Sequence, residues 1–153
     1  MLVVGVADMK VSGNSEDVIV TYALGSCLGV VVHDMQAQVG GLLHAMLPHA
    51  EINPEKAKAN PAMFIDTGVP LLFQAVYAAG ATKKNLKIYI AGGAGNDNFF
   101  AIGERNIIAI RKIFWKNGYV ISGQEVGGTI ARTMHLEINT GKIWIKTTET
   151  RDC

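Results

Sequence analysis

Leu28-Gly-Val-Val-Val-His-Asp34, followed by Met35-Gln-Ala-Gln38 and then Val39-Gly-Gly-Leu-Leu-His-Ala-Met-Leu47, reads as two strands around a short connection. Pairing Asp34 with Val39 sets Gly29 opposite His44. Side chains alternate between the faces of a strand, so Cys27, Gly29 and His44 share one face. Cys27 and His44 become diagonal neighbours, about 7–8 Å apart at Cα and closer at their tips. Gly29 puts no side chain between them. The inference turns on register, because a slip of one residue carries His44 to the opposite face.

Outward from this pair, residues 3–7 and 18–21 are further short β-branched or aliphatic runs. Residues 48–61 are polar with three prolines and read as a surface loop. A helix is expected to start between Asp66 and Pro70, with Pro70 in its first turn, and to stop at Gly80. Residues 86–91 read as a buried strand. A second helix runs from about Gly103 to Lys116, with Ile107, Ile110, Ile113 and Phe114 at helical spacing, and ends at Asn117-Gly118. Strands return at 119–126, 130–138 and 142–147, the last two joined by an Asn139-Thr140-Gly141 turn. Strands dominate both ends, which disfavours an alternating βαβ array. The expectation is one α/β domain over residues 1–153, with mixed or antiparallel strands and two main helices.

Composition bounds the function. A chain of 153 residues suits one domain with a sizeable core. With 49% hydrophobic and 18% charged residues, it is neither a disordered tail nor a coiled coil. Fourteen basic against thirteen acidic side chains give a net charge of +1, which points to no nucleic-acid partner and no anionic membrane. No apolar run approaches the ~18–20 residues a bilayer requires, so membrane insertion is not expected. Met1-Leu-Val-Val4 carries no basic flank or small-residue cleavage site, and the expected compartment is the cytoplasm.

There are two cysteines, Cys27 and Cys153, with no CxxC partner, and four scattered histidines. A disulfide to the terminal Cys153 and a zinc site are both disfavoured, and no metal or cofactor is expected. Cys27 is then a packed small hydrophobe, the commoner fate, or a reactive thiol. Reactivity needs a neighbouring imidazole, which favours the thiolate and later protonates the leaving group. His44 is the best placed of the four. Gly25 and Ser26 form the turn before Cys27, where successive amides are candidates to hold an oxyanion. Thr21, at the end of the preceding strand, is a candidate to orient the imidazole through its hydroxyl or its carbonyl. Taken alone, a His and a Cys in oily strands are more often core residues.

Six pieces then occur in order: Gly25-Ser26-Cys27, His44-x-x-Leu47-Pro48, Gly92-Gly93-Ala94, Ile102-Gly103-x-Arg105-Asn106, Gly127-Gly128-x-x-x-Arg132 and Thr140-Gly141. This series resembles the CheD family, the chemoreceptor glutamine deamidases of chemotaxis, over nearly the whole chain. The resemblance implies a Cys–His–Thr thiol mechanism at Cys27, His44 and Thr21 that hydrolyses receptor glutamine side chains to glutamate. It also implies a layered α/β sandwich similar to bacterial toxin deamidases. The implied partners are chemoreceptor cytoplasmic domains as substrate and a CheC-type phosphatase. The alternative is a regulatory binding module for that phosphatase with little activity of its own; a thiol protease or transglutaminase would share the acyl chemistry.

Other features carry less. The glycine stretch from Ala91 to Gly95, with Asn96-Asp97 after it, lacks the last Gly of GxGxxG and the Gly-Lys-Ser/Thr of a P-loop. Gly92 and Gly93 are candidates to border the cleft and assist the oxyanion, beside the plainer reading as a glycine turn. Arg105 and Arg132 read first as ordinary surface arginines.

Overall fold

The computed structural model describes residues 1–95 and 101–148. Cys153, Asn96 and Asp97 lie outside them. Two sheets form, each strongly non-local in sequence. The five-stranded sheet has the order β2 (Asp8–Ser12), β5 (Val39–Ala45), β4 (Leu28–Asp34), β6 (Leu86–Gly92), β7 (Gly123–Val126). The four-stranded sheet has the order β1 (Leu2–Val3), β3 (Val18–Leu24), β8 (Ala131–Glu137), β9 (Ile143–Thr148).

β4 and β5 pair antiparallel in the register read from the sequence, with Gly29 opposite His44 and Asp34 opposite Val39. Every residue of both strands is buried. That explains their near-continuous apolar composition, since a strand covered on both faces need not alternate. One face carries Leu28, Val30, Val32 and Leu43 and packs under helices α2 (Ile65–Ala78) and α3 (Ile102–Lys116). The other carries Val31 and Leu42 and packs against Ile19, Met134 and Leu136 of the four-stranded sheet. The fold is an α/β sandwich of three layers: helices, five strands, four strands. Each fully buried Leu, Ile or Val contributes roughly 1.5–3 kcal/mol.

Several expectations need correction. The first strand is only Leu2–Val3, and the chain then turns at Ala7, which takes a left-handed conformation with φ 57°. A new strand follows, β2, whose Asp8 pairs with His44. Residues 48–61 are not a plain loop. The Asn53 side chain accepts from the Lys56 amide and Pro54 opens a short helix α1 (Pro54–Ala59). Asn60 then caps a further turn, Pro61–Met63. α2 begins at Ile65, so Pro70 lies inside it rather than in its first turn. The stretch 119–126 forms a strand only from Gly123, where β7 runs parallel to β6 across α3. β3 extends past Thr21 to Leu24, with its register broken by a bulge between those residues. No helix among the described residues is long and apolar enough to cross a membrane.

Candidate active site

Thr21 and His44 come from different sheets and meet in the layer between them. Thr21 Oγ1 lies 2.7 Å from His44 Nδ1 and 2.8 Å from the Val4 carbonyl oxygen. A carbonyl can only accept, so the single hydroxyl hydrogen goes to Val4. The remaining bond is then Nδ1–H donating to Oγ1. Neutral His44 therefore carries its proton on Nδ1, which leaves Nε2 as its basic nitrogen. Both residues are buried, Thr21 at 0% and His44 at 2% exposure.

Cys27 lies one residue before β4, on the diagonal from His44 that the register defines, and is 5% exposed. The space left by Gly29 on that face is filled. A Cβ there would meet Leu24 at 2.8 Å and the Met134 sulfur at 2.9 Å, so those side chains occupy it.

The turn leading to Cys27 is held by its carbonyls. Gly25 O accepts from the Ala94 amide at 2.8 Å, Ser26 O from Asn106 Nδ2 at 3.0 Å, and Cys27 O from the Gly93 amide at 2.9 Å. In trans peptides the N–H points opposite to the C=O of the preceding residue, so the Ser26 amide is aimed away from the glycine loop and the Cys27 amide away from Asn106. Gly92 and Gly93 thus act on the turn from behind. The Gly93 N–H is committed to Cys27 O, and Gly92 has φ 105° with an added Cβ only 2.3 Å from that oxygen. The loop is clamped in turn: Gly92 O accepts from the Gly127 amide and from Arg132 Nη1, and the Gly95 amide donates to Gly128 O.

Arg132 departs from the surface reading. It is 8% exposed, and its Nε sits 3.2 Å from Glu125. Arg105 is exposed. The other histidines have separate employment: His33 Nε2 donates to Ile138 O at 2.8 Å, His49 lies 3.8 Å from Asp66, and His135 stacks on Trp144. Burial, with Lys146 adding to it, pushes the His135 pKa down. Among the described residues no three His, Cys, Asp or Glu side chains gather as a metal site.

Sequence reading left Asn106 without a role. The signal was present, since Asn106, Ile110 and Phe114 fall at four-residue steps on the buried face of α3, and a polar residue on such a stripe needs partners.

Comparison with known proteins bears on the whole chain. Residues 46–147 match the family model for CheD chemotactic sensory transduction. A protein of Syntrophus aciditrophicus, called a probable chemoreceptor glutamine deamidase CheD 1, is 49% identical over 95% of this chain and 92% of its own length. A Solibacter usitatus protein of the corresponding name is 46% identical over 95% of this chain and 88% of its own. An archaeal one, from Pyrococcus abyssi, is 39% identical over 92% and 87%.

Proposed function

This chain belongs to the CheD family, and we propose that it hydrolyses glutamine side-chain amides to glutamate on chemoreceptors, with Cys27 as nucleophile, His44 as base and acid, and Thr21 as the group that orients His44. The observation that carries the reading is the Thr21–His44 hydrogen bond, whose polarity leaves Nε2 basic.

The chemistry follows from that polarity. His44 Nε2 takes the Cys27 proton, and the thiolate attacks the carboxamide carbon of the bound glutamine. The carbonyl oxygen becomes an oxyanion, for which the Ser26 and Cys27 amides of the turn are the candidate donors; Gly25 gives that turn its shape. Collapse of the intermediate breaks the C–N bond, and His44 Nε2–H protonates the departing nitrogen, which leaves as ammonia. Water, deprotonated by His44, then attacks the thioester. The C–S bond breaks, glutamate is released and the thiol is restored. Thr21 keeps the ring in one tautomer and orientation throughout.

Receptor glutamines as substrate are supported by the names of the relatives, while the near-neutral charge provides little long-range steering. Shape at close range must then choose the side chain. Association with a CheC-type phosphatase in the cytoplasm completes the reading; Trp115 and Val120, 82% and 81% exposed, give a protein partner apolar surface to bury. Ammonia release from a purified receptor signalling domain tests the activity. Release undiminished by prior iodoacetamide labelling of Cys27 would overturn the mechanism.

A further inference from the structure

The β4–β5 ladder ends at Leu28 opposite Ala45, one residue short of Cys27 and one beyond His44. Past that point no strand pairing holds the two segments together. The Asn106 side chain bridges them. Asn106 Nδ2 lies 3.0 Å from Ser26 O and 3.0 Å from Met46 O, and Asn106 is fully buried. Ser26 precedes Cys27, and Met46 is the second residue after His44. Both partners are carbonyls, so the atom between them must be the nitrogen, and both of its hydrogens are spent. The Asn106 Oδ1 is buried and has no hydrogen-bond partner among the described residues. A buried carbonyl oxygen without a donor is an uncommon cost in a folded protein. Side-chain replacement by an apolar residue would remove that cost; the carboxamide is instead present, and its nitrogen is what bridges the two segments.

We infer that Asn106 is a positioning residue for the deamidation, setting the separation of Cys27 and His44 by tying the turn before one to the strand end after the other. The inference rests on Cys27 and His44 being nucleophile and base. Its placement also makes the N-terminal turns of α3 part of the site's frame. Gly103 lets α3 approach the glycine loop, since a Cβ there would lie 2.2 Å from Ala94 O, and that loop holds Cys27 O through the Gly93 amide. One helix thus braces the Cys27 turn directly through Asn106 and indirectly through the loop. Misplacing a reacting pair by about 1 Å costs on the order of 100-fold in rate without any reacting group being removed.

The test uses the full chain in a Cys153→Ser background, so that alkylation reports Cys27. Three variants are compared with the parent: Asn106→Ala; Asn106→Leu, which fills the volume so that the fold survives loss of the donors; and Ile110→Val, a buried change one turn along α3 with no polar contact. Two readouts are taken: kcat and KM on receptor glutamines, and the pH dependence of iodoacetamide alkylation. Both Asn106 variants are expected to lose about 10–100-fold in kcat with KM within about twofold. Their alkylation midpoint should move up toward the ~8.5 of an ordinary thiol. Ile110→Val should move neither. Folded Asn106→Leu with parental kcat and alkylation profile would overturn the inference while leaving the Cys27–His44 reading in place. A parent thiol that itself titrates like an ordinary cysteine would remove that reading, and this inference with it.

Discussion

Thr21 and His44 are hydrogen-bonded at 2.7 Å across the boundary between two different β-sheets, although their strands share no ladder. The imidazole is therefore oriented by the packing of one sheet on the other. Anything that shifts the sheets relative to each other changes that tautomer-setting bond.

Thr21→Val keeps the shape and deletes the hydroxyl. It leaves Val4 O and His44 Nδ1 without their shared partner, at a cost of about 1–3 kcal/mol in stability. Activity should fall about 10–100-fold, less than for His44→Ala, because an orienting contact is lost and not a reacting group. Thr21→Ser should recover most of it. Nitrogen-15 NMR of His44 should show the Nδ1–H tautomer in the parent and a mixture in Thr21→Val; an unchanged tautomer would contradict the bond polarity derived above.

Cys27 and His44 should behave as one unit. Substituting both is expected to cost little more in kcat than substituting either alone. Losses that multiply independently would make His44 a structural residue.

How much of this was legible in the sequence depends on the range of the contact. The hairpin register came from a local pattern: two apolar runs and a short connection between Asp34 and Val39 leave little freedom. Thr21 was legible as a candidate from its position, but the choice between its hydroxyl and its carbonyl depends on a sheet-to-sheet contact that no local pattern encodes. Asn106 bridges residues 80 and 60 positions away, and β2 finds β5 only in the assembled sheet. The helical turns between residues 48 and 63 were missed for a different reason. Prolines that look like loop markers sit at first helical positions there, behind capping asparagines.

Gly92→Ala should damage both fold and activity. Its Cβ would sit 2.3 Å from Cys27 O, and φ 105° is unfavourable for any L side chain. A loss of at least ~2 kcal/mol is expected, with activity falling further than the folded fraction. Gly5→Ala, where nothing lies within 4 Å, is the control and should stay within about 0.5 kcal/mol. Equal melting temperatures for the two variants would contradict the close approach of the glycine loop to the turn.

Asp34 gives a pH dependence with a defined sign. Burial alone would raise its carboxyl, but N–H donors outweigh it, chiefly Ala37 at 3.0 Å and Thr82 at 2.9 Å, and hold it below the ordinary value. A depressed folded pKa contributes stability that is full above about pH 4 and is lost as pH falls through the folded value. Asp34→Asn should therefore be less stable at neutral pH, and the gap to the parent should close on acidification below about pH 4. A gap that widens on acidification would reverse the assignment. Activity per folded molecule should not change, since Asp34 lies at the far end of β4 from Cys27.

The most direct measurement is peptide mass spectrometry of a folded receptor signalling domain after incubation with the parent chain or with Cys27→Ser. The account predicts a mass gain of about 1 Da, Gln to Glu, at a few defined glutamines with the parent and at none with Cys27→Ser, while free glutamine is turned over poorly for want of remote binding energy. Backbone cleavage, a Gln–Lys crosslink, or the same conversion by Cys27→Ser would contradict it.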